Sequence, residues 1–258
     1  MPRILITGSS DGLGLAAGRA LIDDGHEVVL HARNEQRADD IRRAAPGVAD
    51  VLVGDLSSAR ETADVAAQAN TSGPFDAVIH NAGVGYRESR RMPTPEGHAH
   101  LLAINVLAPY ILTATIERPA RLVYLSSSSH LGGSADLSDI DWVERPWNGS
   151  QAYGDSKLFD AALAFAVARR WPDVLSNAVE PGWVPTRMGG RGAPDDLALG
   201  HVTQAWLAAG DDPAALVSGR YFYHQREQEP LPASRSVAFQ DALLAELERL
   251  TGVPLPQA

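Results

Sequence analysis

A chain of 258 residues with 45% hydrophobic content and a net charge of −10 suits one α/β domain with a sizeable core, and the negative balance excludes a general nucleic-acid or anionic-membrane surface. It contains no cysteine, which excludes disulfides, thiolate metal sites and a cysteine nucleophile and fits a reducing compartment. No apolar run reaches the length of a membrane span and Met1-Pro2-Arg3 leads straight into a strand without room for a secretory leader, so a cytoplasmic location is expected.

Arg3 to Thr7 reads as a buried strand that Gly8, Gly12 and Gly14 interrupt at once. Leu13, Ala16, Ala17, Ala20 and Leu21 then share one face of a helix. Glu27 to His31 is a second strand, Glu35 to Ala45 a polar helix, and Asp50 to Val53 a third strand. An alanine-rich helix runs to about Asn70 and breaks at Gly73-Pro74; Phe75 to His80 is a fourth strand. A long apolar helix covers His98 to Ile116, and Arg121 to Leu125 is a fifth strand. Gln151 to Arg170 is a strong helix with Ala161, Ala162, Phe165 and Ala166 on its inner side. Val174 to Val179 is a sixth strand, Asp195 to Ala209 a helix, Gly219 to Tyr223 a last strand and Ser236 to Leu250 an amphipathic helix. Continuous apolar strands alternating with helices predict a doubly wound, Rossmann-type parallel sheet with helices on both faces. No linker, repeat or low-complexity tract interrupts the pattern, so residues 1–258 are expected to form a single domain.

Each strand ends in glycine or polar residues: Gly8 to Gly14, Arg33, Asp55, Asn81 to Gly83, Ser126 to Ser129, and Pro181 to Thr186. In an open parallel sheet the ligand crevice lies outside those ends. Glycines at a strand-to-helix turn let backbone N–H groups approach a pyrophosphate, whose charge the helix N-terminus favours. A dinucleotide is therefore expected, although Gly-x-x-x-Gly-x-Gly differs from the commoner Gly-x-Gly-x-x-Gly spacing. After the second strand comes Arg33, with no acid until Glu35. A guanidinium suits a 2′-phosphate, so NADP(H) is favoured over NAD(H). The competing reading has Arg33 paired with Glu35 or Asp39, and Asp11 sets an anion in the turn that must face phosphates.

Tyr153-Gly-Asp-Ser-Lys157 puts a phenol and an ammonium on one helical face. The cation favours phenolate, so this tyrosine can give or take a proton near neutrality. The serine run offers hydroxyls to a carbonyl oxygen on which charge develops. A serine nucleophile is disfavoured, because no Gly-x-Ser-x-Gly elbow is present. Asn105 lies inside an apolar helix, where its amide needs partners; it serves as a kink or core satisfier or in a proton relay. The histidines form no paired ligand set and the acids of 135–141 read as a solvated loop, so no metal is expected.

These residues together resemble the short-chain dehydrogenase/reductase family across nearly the whole chain. Thr7-Gly-Ser-Ser-Asp-Gly-Leu-Gly14 is similar to its Thr-Gly-x-x-x-Gly-x-Gly motif, and Asn81-Ala-Gly83 to its Asn-Asn-Ala-Gly segment with His80 replacing the first Asn. The resemblance implies Asn105, Ser127, Tyr153 and Lys157 as a catalytic tetrad, with Ser126 or Ser128 as fallbacks for the serine. It implies a cofactor held by Gly8, Ser9, Ser10, Gly12, Leu13, Gly14, Arg33, Asp55 and Leu56. Asn81, Ala82, Gly83, Tyr153, Lys157, Pro181, Gly182, Val184 and Thr186 complete that set. Tyr153 would be the general acid in carbonyl reduction or the base in alcohol oxidation, Ser127 would polarise the carbonyl, and Asn105 would anchor a water relay. Ser127-x-x-His130 and the long segment before Tyr153 resemble the retinol-dehydrogenase-like branch.

Substrate loops are expected at 84–97, 130–150 and 183–215, where Tyr86, Trp142, Trp147, Trp183 and Met188 suggest an apolar or aromatic carbonyl or alcohol. A homodimer or tetramer through the helices from His98 and Gln151 is what the family implies. The rival from another class is a dinucleotide-sensing or scaffolding protein on the same fold, which would need no proton donor. A nucleotide-sugar epimerase would need a larger region than 187–258 provides.

Overall fold

The computed structural model describes residues 1–257. The six predicted apolar runs form strands close to their expected bounds: Arg3–Ile6 (β1), Glu27–Ala32 (β2), Asp50–Val53 (β3), Ala77–His80 (β4), Arg121–Leu125 (β5) and Leu175–Glu180 (β6). Tyr221–Tyr223 (β7) is the predicted last strand, shortened. It is followed by Arg226–Glu227 (β8), which the sequence reading misses. The sheet order is β3-β2-β1-β4-β5-β6-β7-β8, parallel except for the β7–β8 hairpin. That hairpin turns through His224 and Gln225, both at positive φ. Asn-Gly or Asp-Gly is the usual signature of such a turn, so His-Gln gives no sequence signal.

The helices are Gly12–Asp23 (α1), Glu35–Ala44 (α2), Ala59–Ser72 (α3), His100–Leu102 (α4), Ala108–Thr115 (α5), Gly149–Arg170 (α6), Val202–Ala209 (α7) and Val237–Thr251 (α8). Asn34, Ser58, Asn148 and Ser236 accept first-turn N–H groups and fix the starts of α2, α3, α6 and α8. The helix expected from Asp195 begins only at Val202. Asp195 instead accepts the Trp183 N–H at 2.6 Å, twelve residues back, and Asp196 accepts the Ala198 N–H at 2.9 Å, a local bond that competes with a helical ladder.

Alternate residues of β1 face opposite layers. Ile4 and Ile6 join a core with Ala17 and Leu21 of α1 and Leu207 of α7, whereas Leu5 joins one with Val65 of α3 and Leu163 of α6. The second core is larger because α8 and the chain after it close over α5 and α6. Leu243 and Leu247 pack there, the Tyr110 hydroxyl donates to Val253 O at 2.8 Å, and Trp171 Nε1 donates to Pro256 O at 2.9 Å. Every residue of α6 from Ala152 to Val167 is buried as a result, on the outer as well as the predicted inner side. The outer side of α6, expected to meet a partner, is therefore covered by this chain itself. No helix among the described residues is long and apolar enough to cross a membrane.

Leu247 is fully buried in the layer that seals α6. Leu247→Ala is expected to cost about 2–5 kcal/mol in urea unfolding, with turnover per folded molecule retained.

Candidate active site

The strand order reverses between β1 and β4, and outside their C-terminal ends lies a cleft of about 740 Å³. The turn after β1 forms one wall and is braced from three sides. Asn81 Nδ2 donates to Thr7 O and Gly8 O at 2.9 and 3.0 Å, and the Ala82 N–H donates to Thr7 Oγ1 at 3.0 Å. Gly8 has φ +61°, and a Cβ there would sit 2.6 Å from Ala82 Cα, so glycine alone permits this approach. From β2, His31 Nδ1 accepts the Gly8 N–H at 3.0 Å while Nε2 contacts Gly54 O at 2.9 Å. Nδ1 therefore lacks a proton and Nε2–H donates; burial lowers the His31 pKa and keeps the ring neutral. The sequence reading passes over His31 as a strand residue, since nothing local distinguishes an interior histidine.

Gly8, Ser10, Gly12 and Leu13 line the cleft, and a Cβ at Gly12 would meet only open space. Arg33, Asp55, Leu56, Asn81, Ala82, Gly83, Pro181 and Thr186 line it as well. Four expected residues do not. The Ser9 hydroxyl donates to Ile6 O and accepts the His31 N–H, both at 2.8 Å, inside the sheet end. Gly14 packs against Asn81 and Gly8, Gly182 against Asp195, and Val184 is buried under Gly200. These four shape the walls.

Asp11 is neutralised where it stands: its Oδ2 lies 2.7 Å from Arg37 Nη2 and 3.3 Å from Arg187 Nη1. Arg37 also donates to Ser10 O and Oγ at 3.3 and 3.2 Å. Arg42, not Arg33, pairs with Glu35 and Asp39, which leaves Arg33 on the cleft. Arg37 and Arg187 lie outside the sequence reading because their common partner is distant from both in the chain.

Tyr153 and Lys157 open onto the same cleft from the start of α6, with Lys157 Nζ 5.8 Å from the Tyr153 ring centroid. The Tyr153 hydroxyl lies 3.9 Å from Met188 Sδ. Lys157 Nζ donates to Leu125 O and to Asp160 Oδ2, both at 2.7 Å. Burial disfavours this ammonium, but Asp160 and Tyr153 outweigh it and leave the lysine pKa raised. Asn105 sits in a π-helical turn, Ala103–Leu107, between α4 and α5. Its Oδ1 accepts the Val84 N–H at 2.8 Å, and its Nδ2 donates to Val84 O at 3.1 Å and to Ser156 Oγ at 3.0 Å. Its amide therefore fixes the loop after β4 to α6, and it resides in a helix distortion of the kind found at functional sites.

The serines divide. Ser126 lines the cleft, but its hydroxyl donates to Lys157 O at 2.7 Å. Ser127 is half-buried and caps the 3₁₀ turn Ser128–Gly132 by accepting the Ser129 N–H at 3.2 Å. It is not among the lining residues.

The wall opposite the turn is held by hydrogen bonds between side chains of opposite polarity. His98 Nδ1 lies 2.8 Å from Asp141 Oδ2, Arg91 Nη2 3.0 Å from Asp141 Oδ1, and His100 Nδ1 2.6 Å from Glu88 Oε1. Trp142 and Trp147, expected to meet a ligand, pack edge to face at 5.6 Å within this wall, and Trp183 is exposed. Val84, Ile104, Pro185, Met188 and Leu197 line the cleft instead, with His100 beside them. Of the loop aromatics named from the sequence, none lines the cleft; its aromatic ring is that of Tyr153.

A sequence profile described as short chain dehydrogenase matches residues 2–196. The chain belongs to the short-chain dehydrogenase family. It is 44% identical to the short-chain dehydrogenase chyC of Penicillium rubens, over 99% of this chain and 100% of that one. It is 41% identical to the short-chain dehydrogenase chry4 of Gibberella zeae, over 99% of both. Human retinol dehydrogenase 13 is only 26% identical, over 98% of this chain and 85% of that protein, so the retinol-dehydrogenase resemblance is a distant one. A crystal structure of a Mycobacterium paratuberculosis protein shares the fold at TM-score 0.84 and 24% identity, covering 99% of this chain and 95% of its own. This family of oxidoreductases uses nicotinamide dinucleotides, and the braced turn and open cleft fit one.

The His98–Asp141 pair makes the wall sensitive to pH. Asp141 raises the His98 pKa above 6.5, so this contribution is full below 6.5 and lost as pH rises through the folded value. Burial opposes the Asp141 carboxylate, but His98, the Ala99 N–H and Arg91 outweigh it and lower its pKa below 3.8; that contribution is present above 3.8 and lost as pH falls through the folded value. The Tm difference between the native chain and His98→Gln is expected to be widest between those limits and to shrink on the alkaline side, by scanning calorimetry across pH.

Proposed function

We propose that this dehydrogenase is an NADP(H)-preferring carbonyl reductase or alcohol dehydrogenase acting on small apolar substrates. The observation that supports this most is that Tyr153 and Lys157 open onto the same cleft as the glycine turn. When bound, the nicotinamide supplies or accepts the hydride. The protein's task is then to place the substrate carbon and move one proton. Tyr153 gives its phenolic proton to the carbonyl oxygen in reduction, or takes the alcohol proton in oxidation. Lys157, fixed through Leu125 O and Asp160, holds positive charge beside the phenol. Asn105 keeps the Gly83–Val84 backbone in place, and Ser127 is the hydroxyl proposed to polarise the carbonyl.

The NADP(H) preference rests on Arg33 at the cleft, with Arg37 and Arg187 about Asp11; Arg37 is shared with Asp40 at 2.7 Å. A guanidinium met by a phosphate makes strong charge-assisted hydrogen bonds. The apolar substrate class rests on Val84, Ile104, Pro185, Met188 and Leu197.

A screen of carbonyl compounds with NADPH and NADH in parallel tests the reading. Turnover with NADPH should exceed that with NADH, and Tyr153→Phe should lower kcat by about 100-fold or more. Near-native turnover in Tyr153→Phe overturns the assignment. Arg33→Ala should weaken NADPH binding about tenfold and leave NADH binding nearly unchanged, by fluorescence titration. Asp11→Ser should leave NADPH binding equal or tighter. Ser127→Ala should lower kcat with only the small Tm loss of one turn cap, whereas Ser126→Ala should lower Tm more, because its buried hydroxyl is bonded to α6.

A further inference from the structure

Resting on the reading of Tyr153 and Lys157 just given, we infer that Asp160 is a positioning residue that holds Lys157 Nζ and offsets its charge, and thereby keeps the Tyr153 phenol a proton donor around neutrality. Asp160 lies three residues beyond Lys157 on α6 and is 2% exposed. Its Oδ2 is 2.7 Å from Lys157 Nζ, and its Oδ1 is buried with no hydrogen-bond partner. An unpaired carboxylate oxygen in the interior is costly, and a buried ion pair adds little net stability over apolar residues of the same volume. Packing alone gives no account of an acid whose neighbours along the helix are Leu158, Phe159, Ala161 and Ala162.

Electrostatics gives one. A lone ammonium near a phenol stabilises phenolate. With a carboxylate in contact behind it, the ammonium acts on the phenol as one end of a dipole, and the pull towards phenolate weakens. The carboxylate also keeps Lys157 charged despite its burial, and it orients Nζ together with Leu125 O. The neighbouring groups do not take over this task. Tyr124 of β5 and Tyr221 of β7 face Asp160 as phenols whose pKa values burial raises. His80 of β4, 4.7 Å from the Tyr124 ring, is pushed by burial down to about 3 and is neutral. Glu180 of β6 acts on Tyr221 rather than on Lys157. Burial raises the Asp160 carboxyl against the opposing pull of Lys157, and the ammonium in contact at 2.7 Å favours its carboxylate form.

The test is the pH dependence of reductive kcat/KM in the full-length chain, for Asp160→Asn and Asp160→Glu beside the native enzyme. Asn keeps an acceptor for Nζ and removes the charge; Glu keeps the charge. Removing the charge lets the coupled Tyr153–Lys157 pair release its proton earlier. In Asp160→Asn the alkaline midpoint is expected about one pH unit or more lower, and in Asp160→Glu it stays near the native value. The tyrosinate absorbance that the native chain shows and Tyr153→Phe lacks should move in the same direction without any need for turnover. An unmoved midpoint in Asp160→Asn, with only kcat or Tm reduced, overturns the proposal. Should Asp160→Asn not fold, an alkaline midpoint in Asp160→Glu displaced by a full unit overturns it, and a native midpoint supports it. The two readings fail separately: an active Tyr153→Phe removes both, whereas an inactive Tyr153→Phe with an unmoved Asp160→Asn profile removes only this one.

Discussion

A helix buried on every side must satisfy each of its polar side chains from within the protein, and α6 is such a helix. Its Asp155 accepts from Ser134 N, Gln151 and Arg145, which ties the long segment before Tyr153 to the helix. Ser156 accepts from Asn105, which holds the loop after β4. Lys157 donates to the end of β5 and to Asp160. Each bond that solvates a buried group also positions a part of the site. The cover supplied by α8 and the residues after it therefore governs more than stability: it dries the helix, and dry polar groups hold their partners more firmly than wetted ones.

The turn after β1 obeys a different constraint, that of close approach. Gly8 brings two backbones nearer than any Cβ would allow, and Asn81, Thr7 and His31 satisfy the polar groups that this leaves. Arg37 and Arg187 then flank Asp11 at the rim of the cleft.

Much of this was legible in the sequence, for identifiable reasons. The apolar runs of β1 to β6 have no other home than a sheet covered on both faces, and the polar strand ends mark its crevice. Tyr153 and Lys157 are readable because their spacing is a helical repeat. What escaped depends on partners remote in the chain. Asp160 and Lys157 are near neighbours, but only the burial of the outer face by α8 gives their pair its meaning. Arg37 and Arg187 meet over Asp11 from opposite sides of the sequence. The His224–Gln225 turn lacks the residues that usually announce it, and Asp195 and Asp196 divert a helical pattern through side-chain bonds. Trp142 and Trp147 mislead because loop tryptophans suggest a ligand, whereas here they pack edge to face on one another inside the wall.

The contact of Arg187 with Asp11 joins the two halves of the cleft. Asp11 belongs to the turn after β1 and Arg187 to the loop after β6, and both line the cleft. Whatever draws Arg187 from that partner on one side changes the free energy of the other, and linkage requires the effect to be equal in both directions. Arg187 is 87% exposed at its side chain, so the pair is screened and worth about 1 kcal/mol at most. The two segments of the cleft wall are thus joined by a weak spring, enough for about a fivefold change in an equilibrium constant and no more.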